Sequence, residues 1–432
     1  MEAFPQWIII SIVVIVLSKA AVLLAKRFGL PTATAQLLLG ILLGPSLLNL
    51  LRSPILLGTW GSPSPGPLHN LLKILAEIGL IQLMFLAGLQ TDWHELKKML
   101  KPVFLVGASG FVLTAIAVVI ITHSFVDRWA EALAVGAIMT PSGFGISVFN
   151  LNEMRFLGSP SASVVLGSGV LGGVLAILLM IGSQAMNYSA AYGGFKMIIA
   201  VSWFLGKLIM FFAIAYFLTS RFLRLTAKAN FQKRPNQMLI GYLLLVASLY
   251  AWAAMHFGSF AAVCVASLGG ALLGTSHPGM KGKIEGGLGS ILASIPVGVF
   301  FVVFGMEMNL TGSERYMIFL IVLIAAVIGT KLIGCRIATN QVIETSYDRS
   351  WIMFGALSQG EMGMLIATYL FSRGVVNPVS FNVAMIVVVG LTMLTPVLMK
   401  VALVEGRRSK TIAVLSITKR ETKVMDKDSR YA

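Results

Sequence analysis

The fold of this chain is decided by residues 134–186, which read AVGAIMTPSGFGISVFNLNEMRFLGSPSASVVLGSGVLGGVLAILLMIGSQAM. They form two apolar segments joined by a short polar turn, and the first segment is interrupted by Thr140, Pro141, Ser142 and Gly143. A break of this kind inside a membrane helix frees backbone amides and carbonyls that lipid cannot satisfy. Two interpretations follow: a break that faces a substrate site, or a proline kink with a glycine packing face.

The composition indicates a polytopic membrane protein. Of the 432 residues, 57% are hydrophobic and 12% are charged, and the mean hydropathy is +0.87. The net charge of +16 is typical of basic cytoplasmic loops and does not predict a nucleic-acid partner. Cys264 and Cys335 lie within apolar runs and predict neither a disulfide framework nor a metal site. Because no phosphate-binding loop or hydrolase constellation is present, neither an enzyme nor a cofactor is expected.

Thirteen segments are long enough to span a bilayer, which predicts an all-α membrane domain over residues 1–401. They cover about 6–25, 31–50, 70–89, 101–122, 130–150, 159–186, 195–219, 237–255, 258–275, 288–308, 315–338, 350–373 and 379–401.

The distribution of Lys and Arg predicts the orientation of the chain in the cell membrane. With the N-terminus outside and the C-terminus in the cytoplasm, the inward loops and tail hold 24 of the 33 basic residues. The outward loops hold only five, as the positive-inside rule requires. Residues 402–432 mix charges without periodic apolar positions, which predicts a disordered cytoplasmic tail that lies against anionic lipid.

A second interrupted segment matches the first one. Ser358, Gln359, Gly360 and Glu361 interrupt the segment at 350–373, which is the twelfth of the thirteen. If the segment at 195–219 is a linker between two six-helix repeats, each interrupted helix is the fifth of its repeat. Paired broken helices are typical of inverted-repeat transporters, whose site lies where the two helices cross. The sequence therefore predicts two inverted repeats with two crossed broken helices.

Five motifs, in their order and spacing, resemble the monovalent cation–proton antiporter superfamily, closest to its Kef-type and sodium–proton exchanger branch. The motifs are KRFGLP at 26–31, GILLGP at 40–45, FLAGL at 85–89, FF at 300–301 with GM at 305–306, and QGE at 359–361.

The resemblance spans about residues 10–401 and implies a secondary transporter that exchanges monovalent cations for protons. It implies a homodimer in which dimerisation helices, about 6–89 and 237–308, hold still. A core, about 101–186 and 315–401, would move across the membrane in an elevator-type cycle.

The chain departs from the family pattern in its sixth helix. Typical members carry an Asp-Asp or Asn-Asp pair there, and the corresponding position is Gly172-Gly173. Glycines cannot be protonated, although they allow close helix packing, widen a cavity or expose a backbone carbonyl. A second class of function therefore stays open: an uncoupled uniporter, a channel-like pathway, or a carrier of an organic or anionic solute.

Two ionisable residues, Lys331 and Glu361, lie at membrane depth, where a charge costs at least ~2.5–3.5 kcal/mol. Two interpretations remain. The residues neutralise each other and hold the core together, or Glu361 carries a proton or cation and Lys331 tunes it. The predicted ion-binding residues are Thr140, Pro141, Ser142, Gly172, Gly173, Lys331, Gln359 and Glu361.

Overall fold

The computed structural model describes residues 6–48, 67–192, 194–228, 242, 245–250, 252–253, 256–276, 295–308, 316–343 and 346–402. Within these ranges every regular element is a helix, which confirms the all-α prediction. Seven described helical stretches are long and apolar enough to cross a membrane, and one of them, Trp129–Glu153, consists of two consecutive helices. Three shorter helices are also apolar. The predicted span at 237–255 lies largely outside the described residues, as does the predicted tail from residue 403 onward.

The helices are numbered in chain order. They are α1 (Gln6–Phe28), α2 (Thr32–Leu43), α3 (Pro67–Gln90), α4 (Trp93–Lys98), α5 (Leu100–Phe125), α6 (Trp129–Met139), α7 (Phe144–Glu153), α8 (Pro160–Tyr192), α9 (Gly194–Lys228), α10 (Ser259–Ser276), α11 (Pro296–Met306), α12 (Met317–Val342), α13 (Ser346–Gly355), α14 (Gly360–Ser372) and α15 (Pro378–Ala402).

The first motif of the chain, KRFGLP, forms the turn between α1 and α2. Gly29 adopts a left-handed conformation with φ +65°, which glycine favours at the end of a helix. The Leu30 N–H then donates to the carbonyl O of Ala25 at 2.8 Å and closes the last turn of α1. Pro31 precedes α2 in extended conformation and offers no capping side chain to its first turn. The motif thus reverses the chain and leaves the start of α2 in need of an outside acceptor.

Helix contacts divide the described chain into two groups. The scaffold group contains α1, α2, α3, α10 and α11, in which α3 packs against α10 and α11, and α2 packs against α11. The crossing group contains α5 to α8 and α12 to α15, in which α5 packs against α12 and α8, and α6 packs against α8. Helix α15 joins this group at the start of α14, where the Gly360 N–H donates to the Thr392 hydroxyl at 3.0 Å. The long helix α9 packs against α8 of one group and α10 of the other. The described helices thus fall into two groups, and α9 connects them.

Candidate ion-binding site at the helix crossing

Two breaks interrupt the crossing group. The first separates the end of α6 at Met139 from the start of α7 at Phe144, at the residues predicted from the sequence. The second lies at residues 356–359, slightly before the predicted 358–361, because α14 already begins at Gly360. Glu361 therefore belongs to the first turn of α14. An acidic residue suits this place, because the positive end of the helix dipole lies there.

The two breaks touch each other through glycines. A Cβ atom on Gly143 would lie 2.5 Å from the Gly360 Cα, and one on Gly360 would lie 2.2 Å from the Gly143 Cα. The Gly143 N–H donates to the Ser358 carbonyl O at 2.9 Å, and the Ser142 hydroxyl donates to the Ala356 carbonyl O at 2.8 Å. Each break thus satisfies backbone groups that the other leaves free at membrane depth.

Glu361 is fully buried, with 0% of its surface exposed, and its carboxylate lies at the N-terminus of α7. Its Oε1 accepts the Gly145 N–H at 2.9 Å, and its Oε2 accepts the Ile146 N–H at 3.3 Å. Unpaired N–H groups and the helix dipole make this helix end a suitable place for a carboxylate. A Cβ on Gly145 would lie 3.4 Å from Oε1 and 2.5 Å from the Met84 Sδ of α3. Glu361 therefore lies at the boundary with the scaffold group.

Two neighbours of Glu361 in sequence carry buried polar atoms without partners. Neither amide atom of Gln359 has a hydrogen-bond partner among the described residues, and the same holds for the Ser358 hydroxyl. Both residues are fully buried. Because buried polar groups are normally hydrogen-bonded, these atoms are candidates to hold a ligand near Glu361.

Lys331 is 2% exposed and is bonded to the first break. Its contact is at the end nearer α6, whereas Glu361 is bonded at the start of α7. The Lys331 Nζ donates to the carbonyl O of Pro141 at 2.9 Å and lies 3.5 Å from the Ser142 Oγ. Pro141 follows the C-terminal end of α6, where the helix dipole is negative. Within the described residues no ion pair joins Lys331 to Glu361 or to any other acid. Lys331 and Glu361 are therefore not bonded to each other, and each is held by backbone groups of the first break.

A cavity of about 10 Å³ lies beside Lys331, between α5, α8, α12 and the two breaks. Predicted site residues line it together with Ser168, while Glu361 is not part of its lining. Gly173 lies outside this lining, and a Cβ on it would face the Cε of Met362 at 3.6 Å. The predicted site is therefore divided in two. The residues on the cavity are Thr140, Ser142, Gly172 and Lys331.

The sequence did not indicate a contact between the two helix groups. Glu153, at the end of α7, accepts the Thr32 N–H at 3.1 and 3.2 Å and the Thr32 hydroxyl at 2.9 Å. It supplies the acceptor that the start of α2 requires. Nearby, the Lys400 ammonium of α15 donates to the Gly29 carbonyl O. We call these two contacts the clasp. The uncapped Pro31 signals that an acceptor is needed, but no local pattern identifies Glu153.

The fold and sequence are similar to those of known antiporters. The sodium proton antiporter MjNhaP1 from Methanocaldococcus jannaschii superposes with a TM-score of 0.64 at 16% identity, covering 92% of this chain and 98% of that protein. The probable Na(+)/H(+) antiporter GerT of Bacillus cereus is 25% identical over 395 residues, which are 90% of this chain and 97% of GerT. The Na(+)/H(+)-K(+) antiporter GerN of Bacillus cereus is 24% identical over 377 residues, covering 87% and 91%.

A family match agrees with these relatives. Residues 11–403 match the family described as "Sodium/hydrogen exchanger, transmembrane", which covers nearly all of the described helices. The resemblance to the monovalent cation–proton antiporter superfamily is thereby confirmed. The chain belongs to the sodium/hydrogen exchanger family of transmembrane proteins.

Proposed function

We propose that the protein is a secondary antiporter that exchanges a monovalent cation for protons across the cell membrane, with sodium as the first cation to test. Its family and the antiporters GerT and GerN support this function. The observation that carries the proposal is the placement of Glu361. It is a fully buried carboxylate at the helix crossing, and no basic side chain among the described residues is bonded to it.

The carboxylate of Glu361 can serve both substrates in turn. A proton and a sodium ion compete for the same carboxylate oxygens, so that binding of one releases the other. Gln359 Oε1 and Ser358 Oγ, which have no partner among the described residues, supply neutral oxygens of the kind that hard cations prefer. The N–H groups of Gly145 and Ile146 hold the carboxylate in place while the proton and the cation replace each other.

Transport then requires Glu361 to face the two sides of the membrane alternately. We infer that the crossing group carries Glu361 past the scaffold group in an elevator-type movement, while the scaffold groups of two chains form the homodimer. Two placements support this movement. Glu361 lies against α3 at the group boundary, and the clasp joins the groups at the end predicted to be cytoplasmic. The predicted orientation, with the N-terminus outside, places the clasp on the inner side.

The proposal can be tested with the purified protein in liposomes that contain a trapped pH-sensitive dye. An inward sodium gradient should make the lumen more alkaline, because protons leave as sodium enters. Glu361→Gln should abolish this change. Glu131→Gln is the matched control, because Glu131 is 1% exposed and accepts the Asn377 N–H at 2.9 Å, outside the crossing. Exchange at the wild-type rate in Glu361→Gln would overturn the carrier role, and no proton movement in wild type would overturn the antiporter.

A second candidate is an uncoupled pathway for a cation, or a carrier of an organic or anionic solute. It is favoured by Gly172, which lines the cavity beside Lys331 and has no group that can be protonated. In the liposome experiment this candidate predicts solute flux without a change of internal pH.

A further inference from the structure

Lys331 is a buried basic side chain whose bonded partners are neutral, so its protonated form has no bonded counter-charge among the described residues. Its ammonium group has three N–H donors, of which one donates to Pro141 O and another faces Ser142 Oγ at 3.5 Å. Among the described residues no carboxylate is bonded to it. A buried charge normally survives only with a counter-charge or an equivalent set of polar partners. Two neutral oxygens leave this requirement incompletely met.

The cavity beside Lys331 has room for one small ion or one water molecule. Its volume of about 10 Å³ is about what a single water-sized sphere needs. Gly172 keeps the space open, because its missing side chain would project toward the Ser142 backbone N, 3.6 Å from the Cβ position. Besides Lys331, the polar side chains of the lining are three hydroxyls and the Cys335 thiol, and no carboxylate takes part. The hydroxyls belong to Thr140, Ser142 and Ser168.

A second donor lies on the same wall. The backbone N–H of Ser142 is in the first break and has no hydrogen-bond partner among the described residues. The hydroxyl of the same residue already donates to Ala356 O, so that it turns a lone pair toward Lys331. The space is thus bordered by an ammonium group and a free backbone N–H. Such surroundings suit an anion and repel a cation.

We propose that the cavity beside Lys331 binds one small monovalent anion, of the size and charge of chloride, as the counter-ion of Lys331. The volume excludes an organic anion, and the ammonium group excludes sodium. The anion binds within the crossing group and apart from Glu361, so the proposal holds whether or not Glu361 carries the exchange.

The test compares thermal unfolding of the detergent-purified protein in sodium chloride and in sodium gluconate at equal ionic strength, because gluconate is too large for the cavity. Chloride should raise the unfolding midpoint of wild type by about 2–4 °C. Lys331→Gln should remove this difference. Lys207→Gln is the matched control, since Lys207 lies over the Trp203 ring at 4.9 Å in α9, and it should retain the difference.

Gly172→Asp and Gly172→Asn sharpen the test, because their side chains have nearly the same shape but differ in charge. Both fill the cavity and should remove the chloride effect. Only Asp supplies the counter-charge, so its midpoint in gluconate should exceed that of Asn. Should Lys331→Gln fail to fold, this pair still decides the matter, since equal midpoints would overturn the proposal.

Direct binding provides the last measurement. Radioactive chloride should bind saturably to wild type, with one ion per chain, and this binding should be lost in Gly172→Asp. Equal midpoints in both salts together with no saturable binding would show that the cavity holds water and would overturn the proposal. A chloride effect that survives in Lys331→Gln would place the anion elsewhere and would overturn it as well.

Discussion

The two sides of the break between α6 and α7 hold opposite charges by opposite means. On the carbonyl side, Pro141 O accepts a hydrogen bond from Lys331 at 2.9 Å. On the amide side, the N–H groups of Gly145 and Ile146 donate to Glu361. Each charge lies at the helix end whose dipole has the opposite sign. A single broken helix can therefore hold a buried acid and a buried base apart, without an ion pair between them.

The surroundings of the two charges differ as well. Glu361 lies next to the position where Met84 of the scaffold group approaches α7, whereas Lys331 lies between helices of the crossing group only. A group that exchanges ligands with both sides of the membrane belongs at a moving boundary. A charge that holds an assembly together belongs inside one rigid unit. We therefore expect the acid to act in transport and the base to act in assembly.

The largest expected effect comes from adding a side chain where the two breaks touch. Gly360→Ala places a Cβ 2.2 Å from the Gly143 Cα, at a residue with φ +60°. Overpacking and the left-handed conformation together should cost about 3 kcal/mol of stability. We expect a large fall in the unfolding midpoint of the purified protein, or its failure to accumulate. In the control Gly390→Ala, the added Cβ has nothing within 4 Å, and its midpoint should stay near that of wild type.

The second prediction is that replacing Glu361 affects transport, whereas replacing Lys331 affects stability. Glu361→Gln should reduce sodium–proton exchange to background while keeping most of the thermal stability, since the amide oxygen still accepts one N–H. Lys331→Gln should show the reverse: exchange per folded protein persists, while stability falls by about 1–3 kcal/mol because Pro141 O loses its charged donor. Both variants are measured by dye-monitored exchange and by unfolding in detergent. Loss of exchange in both variants, with stability unchanged, would show that the two charges act as one site.

The third prediction concerns the clasp, which should matter only if the acid side moves against the scaffold. Glu153→Gln weakens the bonds to Thr32 and should change the balance between the two positions of the crossing group by about 1 kcal/mol. Such a change corresponds to an exchange rate altered by about fivefold. The matched control is Glu95→Gln, whose acid pairs with Lys98 at the surface and should leave the rate unchanged. Equal rates for Glu153→Gln and wild type would argue against movement at the clasp.

Local chemistry allowed the breaks to be predicted, but not their partners. Pro141 lacks an N–H, and Gly143 and Gly360 are glycines within apolar runs, so the interruptions are readable from the sequence. The exact start of α14 could not be read from the sequence, because Gly360 and Glu361 suit either a break or a first helical turn. The contacts of Glu361 with Gly145 and of Lys331 with Pro141 join residues 216 and 190 positions apart. Only the packed helices determine such distances, so a pairing of the two charges remained open in the sequence.

The last prediction is an absence of effect, and it tests whether Glu361 acts alone. One carboxylate holds either one proton or one monovalent cation, so each cycle should exchange one for one and move no net charge. A net charge would couple the rate to membrane potential with ~2.3 kcal/mol for each 100 mV. We therefore expect the same rate of sodium–proton exchange in liposomes whose potential is clamped at zero or at a large negative value with potassium and valinomycin. A rate that rises steeply with potential would require a second titrating group or an uncoupled flux. Lys331, the other buried charge of the crossing, would then be the first residue to test, and the division between the two sides of the break would fail.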